Sequence, residues 1–146
     1  MHIQILSPGK FENSPHKEVF AHYHKRMKWK IELKELAQGT KEEEQKLILK
    51  NLKPATKLIA LDERGQEFSS TNFAKLISDF ALHGNSHLSF LIGGAEGLTD
   101  DILKKSSLKI SLGKMTLPHL MARTILLEQL YRAQSILAGH PYHRES

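Results

Sequence analysis

Four segments in the last third of the chain carry residue types able to hold and orient a reacting ligand. They are Ile92-Gly93-Gly94-Ala95-Glu96-Gly97-Leu98, Met115-Thr116-Leu117-Pro118-His119, Leu130-Tyr131-Arg132-Ala133 and His140-Pro141-Tyr142-His143-Arg144-Glu145. Glycines after a strand let backbone approach a ligand closely. The terminal cluster joins a stacking ring, imidazoles and a guanidinium where chain ends usually fray and carry no message. A second group, His22, His24, Lys25, Arg26, Lys28 and Lys30 around Tyr23 and Trp29, has the basic, aromatic-interleaved character of a surface for a phosphate backbone. Lys41-Glu42-Glu43-Glu44, by contrast, reads as a solvated helix start.

Several chemistries are excluded. Cysteine is absent, so disulfides and thiolate metal sites are impossible. His22 with His24 and His140 with His143 lack a third ligand or carboxylate at suitable spacing, so no metal is expected. There is no G-x-x-x-x-G-K-[ST] and no G-x-S-x-G. A dinucleotide fingerprint belongs after the first strand, yet Ser7-Pro8-Gly9 stands there and the glycine cluster arrives strands later. His119, after Pro118, reads as a helix-terminus hydrogen-bonding residue, and Trp29 as core or interface.

The elements that must position these groups follow from periodicity. At 146 residues the chain fits one domain, over residues 1–146, large enough to sustain a core unaided. Residues 2–6 read as a strand stopped by Pro8-Gly9. Ser14-Pro15 opens an amphipathic helix over 16–28, and Trp29, Ile31 and Leu33 alternate as a strand. Thr40 and Glu43 form a capping box for the next helix, which ends before Pro54. The apolar run 58–61 suggests a buried parallel strand, followed by a polar loop over 62–66. Ser69-Ser70 caps a helix with Phe73, Leu76, Ile77 and Phe80 on one face. Residues 88–92 form another buried strand, Thr99 starts a short helix with acids at its positive end, and 108–112 form the last strand.

Pro118 begins the final helix, with Ala122, Ile125, Leu126, Leu130, Ala133, Ile136 and Leu137 on its main apolar face. Leu127 and Tyr131 lie off that face and should meet another element or another subunit; this surplus of apolar circumference predicts a dimer. Glu128 and Arg132 pair at i,i+4. Strand and helix alternate throughout, specifying an α/β fold around a mostly parallel sheet with helices on both faces. In such sheets ligands bind beyond the carboxyl ends of the strands. The loops after Leu61, Ile92 and Leu112 should therefore converge on one small molecule.

The ordered set of these motifs resembles the bacterial ribosomal RNA large subunit methyltransferase H family, of the SPOUT class. It is carried by Tyr23 with Lys25-Arg26, Leu61-Asp62 with Gly65 and Ser69-Ser70, Ile92-Gly93-Gly94 with Glu96-Gly97-Leu98, Thr116-Leu117-Pro118-His119, Leu130-Tyr131-Arg132-Ala133, and the Pro141-Tyr142-His143-Arg144-Glu145 ending. Ser146 stands one residue beyond the usual ending. The resemblance implies S-adenosyl-L-methionine-dependent methylation of N3 of a pseudouridine in 23S ribosomal RNA, in the helix 69 stem-loop of the ribosome. It also implies a C-terminal trefoil knot, which no periodicity argument yields, and a homodimer.

Carried over by position, Leu61, Gly93, Gly94 and the loop of Gly113, Lys114, Met115, Thr116, Leu117 and Pro118 should hold the cofactor. Tyr142, His143 and Arg144 should act beside the partner subunit's cofactor and the target base. His143 is suited either to accept the N3 proton or to position the nucleotide, and both roles stand open. Arg123, Arg144, Tyr142, His143, Lys25 and Arg26 are the expected RNA contacts, Arg123 and Arg144 as partners of phosphate or cofactor carboxylate. The competing readings are a non-catalytic RNA- or nucleotide-binding protein on the same fold, or a methyltransferase of another RNA such as transfer RNA. No apolar stretch approaches membrane-spanning length and the N-terminal apolar run is too short for a signal peptide, so a cytoplasmic protein with no membrane partner is expected.

Overall fold

The computed structural model describes residues 1–144; Glu145 and Ser146, the end of the terminal motif, lie outside the described residues. Strands and helices alternate along the chain: β1 (His2–Pro8), α1 (Pro15–His24), β2 (Lys30–Leu36), α2 (Lys41–Asn51), β3 (Lys57–Glu67), α3 (Ser70–Leu82), β4 (His87–Leu91), α4 (Asp100–Lys105), β5 (Leu108–Ser111) and α5 (His119–Leu137). All five strands are parallel, in the order β2-β1-β4-β3-β5. The ends of β4, β3 and β5 are thus adjacent, which brings their following loops side by side.

Period-two alternation sorts the strand residues between two apolar layers. Ile3, Ile5, Ile59, Phe90 and Ile110 meet Phe20 of α1, Phe73 and Ile77 of α3, and Leu126, Leu127 and Leu130 of α5. Leu6, Leu36 and Leu91 point the other way, against Ile48 of α2 and Ile102 of α4. Helices therefore cover both faces, as the alternation predicts.

The helix starts follow their caps. Ser14 Oγ accepts from His16 N, with Pro15 in the first turn. Thr40 and Glu43 form both halves of the capping box. Ser69 and Thr99 cap α3 and α4 through Asn72 N and Ile102 N. Such caps are worth about 1 kcal/mol each.

Two boundaries differ from the pattern. The first helix stops at His24 rather than near 28, because Gln134 Oε1 of α5 accepts from the backbone N–H groups of Lys28 and Trp29 (2.7 and 3.1 Å) and turns the chain into β2. The polar 62–66 segment is not a plain loop: Leu61 and Gln66 both register with Ile110, so β3 leaves the ladder and rejoins it. Its polarity reflects exposure of that excursion, and strand pairing resumes beyond it.

The last helix is covered by its own chain. α1 and α3 both pack on α5, and Leu127 is fully buried in the core. Tyr131 lies against Tyr23 of α1 and Tyr142 of the tail, with ring centroids 5.8 and 4.7 Å away. The circumference expected to mark a subunit contact is satisfied internally, and Met121 and Leu137 are the large apolar side chains exposed on this helix.

Candidate active-site cleft

The excursion within β3 and the loops after β4 and β5 enclose a cleft of about 710 Å³, within the ordinary range for a small-molecule site. Its walls are Leu61 with the 62–64 excursion, the 92–98 loop, and the 112–118 loop with His119 and Ala122 of α5. Leu61, Gly93, Gly94, Gly113, Met115, Thr116, Leu117 and Pro118 thus come together as expected. Lys114 is exposed and does not line the cleft.

Local chemistry shapes each wall. Ser111 Oγ donates to Gly113 O and accepts from Gly113 N (2.8 and 3.1 Å), folding the chain sharply as it leaves β5. Thr116 Oγ1 donates to Glu63 Oε1 (3.0 Å) and so ties the 112–118 loop to the β3 excursion. In the glycine loop, Gly97 N donates to Gly94 O (3.0 Å). A β-carbon on Gly93 would stand 2.4 Å from the Gly97 carbonyl carbon, so only glycine permits that turn. At Gly94 a β-carbon would stand 2.9 Å from both carboxylate oxygens of Glu44.

Glu44 is a structural residue that the sequence pattern hid. It sits in an acidic first turn that reads as solvated, yet it is 6% exposed and accepts a long bond from Gly39 N (3.3 Å). No signal short of the fold separates it from Glu42. His119, read from the sequence as a helix-terminus hydrogen-bonding residue, stands at the start of α5. Its imidazole borders the cleft, close to Gly9, and burial together with the nearby Arg123 charge lowers its pKa, with Glu44 opposing.

Arg123 corrects an expectation. It is 0% exposed, and its guanidinium is committed to Glu35 Oε2 (2.9 Å), Ser7 Oγ (2.9 Å), Pro8 O (2.9 Å) and Gly9 O (3.1 Å), over the Phe11 ring. Burial lowers its pKa and the Glu35 carboxylate opposes the change. It braces α5 against the ends of β1 and β2, and no phosphate can reach it.

The tail does not line the cleft of its own chain. Tyr142 OH donates to Glu128 Oε1 (3.0 Å) and lies 3.4 Å from Tyr23 OH, contacts that with burial push its pKa up. Arg132 chelates Glu128 (2.6 and 3.0 Å), lies over the Tyr142 ring at 4.8 Å and contacts His143 Nδ1 at 3.1 Å. Glu128 is nine residues beyond His119, about 14 Å along the helix axis. Arg144, Lys25 and Arg26 are exposed, the last two immediately after α1 and near Tyr23, so a basic and aromatic surface surrounds the clamped tail. The sequence marks Glu128 and Arg132 as an i,i+4 pair but not as the tail's anchor. Among the described residues no group of three or more His, Asp or Glu is placed to hold a metal.

A family model described as "Predicted SPOUT methyltransferase" matches residues 1–143. The chain belongs to the SPOUT methyltransferase family. Proteins named "Ribosomal RNA large subunit methyltransferase H" are similar to this methyltransferase over its full length. The one from Rhodospirillum centenum is 37% identical, covering 99% of each chain. The one from Clostridium botulinum (strain Kyoto / Type A2) is 39% identical, covering 99% of this chain and all of the other. Among solved structures, a probable methylase family protein from Haemophilus influenzae aligns with a TM-score of 0.59 at 14% identity, over 99% of this chain and 70% of that one. That likeness speaks to the fold alone. No helix among the described residues is long and apolar enough to cross a membrane.

Proposed function

We propose that this SPOUT methyltransferase uses S-adenosyl-L-methionine to methylate N3 of a pseudouridine in 23S ribosomal RNA, in the helix 69 stem-loop on the ribosome. The observation that carries the reading is the end-to-end likeness to ribosomal RNA large subunit methyltransferase H proteins, on a chain with a ligand-sized cleft at the expected strand ends. The cleft suits this cofactor on its own chemistry. Asp62, Glu63 and Glu96 stand on its walls against Arg64 and His119, an acidic balance that favours a cationic sulfonium ligand. Leu61, Leu112 and Leu117 offer apolar walls, and the uncapped N-terminal end of α5 offers backbone N–H groups to a carboxylate.

When bound, S-adenosyl-L-methionine supplies an already activated methyl group. The protein's work is then alignment, exclusion of water and management of the N3 proton. The glycine loop and the 113–118 loop supply backbone edges for the adenine, and the Thr116–Glu63 bond holds the two walls together. Tyr142 supplies a stacking face, and Lys25, Arg26 and Arg144 supply charge for the RNA backbone.

The tail lies well away from its own chain's cleft, so a working site takes the tail of a second copy. A homodimer with two composite sites follows; the C-terminal trefoil knot and a cytoplasmic setting are proposed from the resemblance to the family alone. Mapping the modified nucleotide by mass spectrometry, on ribosomes from cells with and without the protein, tests the reading. The same N3-methylated pseudouridine in both samples overturns it, and methylation confined to transfer RNA selects the other-RNA alternative.

A further inference from the structure

A second cavity, of about 310 Å³, opens at the amino ends of the strands, opposite the cleft. The length of β1, about 20 Å of strand, separates the two. Four basic side chains from four segments meet there: His2 of β1, Lys30 of β2, His87 of β4 and Lys53 of the turn between α2 and β3. Register sets three of them in a row. His2 pairs with Lys30 on one side and His87 on the other, so the three project from one face of the sheet. The His2 and His87 rings are stacked, with centroids 4.9 Å apart and planes 19° from parallel.

Like charges directly opposite each other on neighbouring strands are unfavourable. Among the described residues the cavity wall sets one carboxylate against them, Glu32, which lies 3.8 Å from Lys53 with both side chains more than half exposed. A pair that long and that exposed is weak, and it leaves Lys53 open to a stronger anion. The floor beneath the basic groups is fixed by hydrogen bonds. Ser89 Oγ donates to Gln4 Oε1 (3.0 Å), Gln4 Nε2 donates to Asn51 O (2.8 Å), and Thr56 Oγ1 lies 2.7 Å from Ser89 Oγ. Gln4 and Ser89 are buried, while the basic side chains stand on the rim. Their crowding lowers the pKa of His2 from its ordinary 6.5. Desolvation is the main cause, followed by the charges of His87, Lys30 and the amino terminus, with Glu32 opposing. An anion in the cavity answers each of those positive charges.

We propose that this cavity is a second binding site, for a phosphate group, with the ammonium groups of Lys30 and Lys53 and the imidazole N–H groups of His2 and His87 as donors to its oxygens. Lysine suits the task, since its compact ammonium binds phosphate as a point charge. Lys25, Arg26 and Lys28 are exposed and lead along the chain into Lys30, so the surface favours an RNA backbone as the source of the phosphate. That source rests on the ribosomal RNA reading above. Free phosphate or a 5′-mononucleotide is the other source of the same chemistry. The site anchors its ligand at the far end of the sheet from the cleft, and no covalent step occurs there.

Two arms test this on the full-length protein. The first is imidazole NMR of histidine-labelled protein, titrated in chloride and in inorganic phosphate at one ionic strength. In phosphate the His2 pKa should rise by about one unit, with accompanying shifts of the His87 resonances. His16 and His140 lie outside the cavity and should not respond. Lys30→Ala with Lys53→Ala should abolish the rise; both lysines are exposed, so the paired variant should melt as the unaltered protein does. No response at His2, or an equal one at all four histidines, overturns the site. The second arm is ribosome binding across a range of salt. The paired variant should bind more weakly, with a log–log salt slope shallower by about 1 to 2. A His2 response to phosphate with ribosome affinity unchanged overturns the RNA source and assigns the site to free phosphate or a mononucleotide. If the unaltered protein does not bind ribosomes at all, the functional reading fails by itself, and the phosphate arm still decides the site.

Discussion

The carboxylate of Glu44 fills the space that a β-carbon on Gly94 would need, 2.9 Å from both oxygens. A side chain at 94 would therefore displace the Glu44 carboxylate within the chain, where the sequence had suggested room for a ligand. Gly94→Ala should cost about 1–3 kcal/mol by overpacking, and cofactor affinity should fall with it. Glu44→Ala in the same chain should relieve the clash, giving a coupling of about 0.5–3 kcal/mol in a double-mutant cycle. Thermal unfolding and calorimetric titration of all four proteins check this, and strictly additive effects would show the two residues to be independent.

Arg123→Ala removes one partner of a buried ion pair and strips three further acceptors at the ends of β1 and β2. The expected loss of unfolding free energy is about 3–5 kcal/mol, toward the lower end because the Glu35 side chain keeps 31% of its exposure. The guanidinium does not reach solvent, so RNA affinity of the folded fraction should be unchanged. Denaturant titration and a ribosome-binding measurement on one preparation separate the two effects. A stable variant with weakened RNA binding would return Arg123 to the surface role.

The folded-state pKa of His119 is lowered from its ordinary value of 6.5 by burial and by the Arg123 charge. Below the ordinary value the unfolded chain binds a proton that the folded chain resists, so stability falls as pH drops through that window and is fully restored above it. His119→Asn should therefore lose less stability than the unaltered protein between pH 7 and about pH 5.5. Melting temperatures at the two pH values give the comparison, and parallel losses in both proteins would remove His119 as a source of acid sensitivity.

The alternation of strand and helix along the chain made the two-sided coverage of the sheet legible in the sequence, and Ser14, Thr40, Ser69 and Thr99 announced their helices through local bonds. The cleft was legible for the same reason: strand-end loops of a parallel sheet must gather at one end. What escaped was long-range. Gln134 cuts the first helix short from more than a hundred residues away, and Glu44 differs from Glu42 only in what folds over it. Arg123 looks like any basic helix residue until the ends of β1 and β2 close around its head. Leu127 and Tyr131 were correctly read as covered, but the cover proved to be α1, α3 and the tail, which periodicity cannot distinguish from a second subunit.

The separation between cleft and tail makes the composite site testable by mixing. A chain ending at His140 loses Tyr142, His143 and Arg144 and the bonds to Glu128, but leaves the α5 core contacts of Leu126, Leu127 and Leu130 in place. It should fold, keep most of its cofactor affinity and fail to methylate ribosomes. A second variant, Thr116→Trp, places a large ring at the cleft mouth and should lose cofactor affinity while keeping its tail. Neither protein alone should work. Refolded together in equal amounts, about half the dimers are mixed, and each has one intact cleft served by one intact tail, so about a quarter of the unaltered activity should return. Mixtures without any recovered methylation, given dimers confirmed by sedimentation, would mean that the tail completes the cleft of its own chain after a rearrangement.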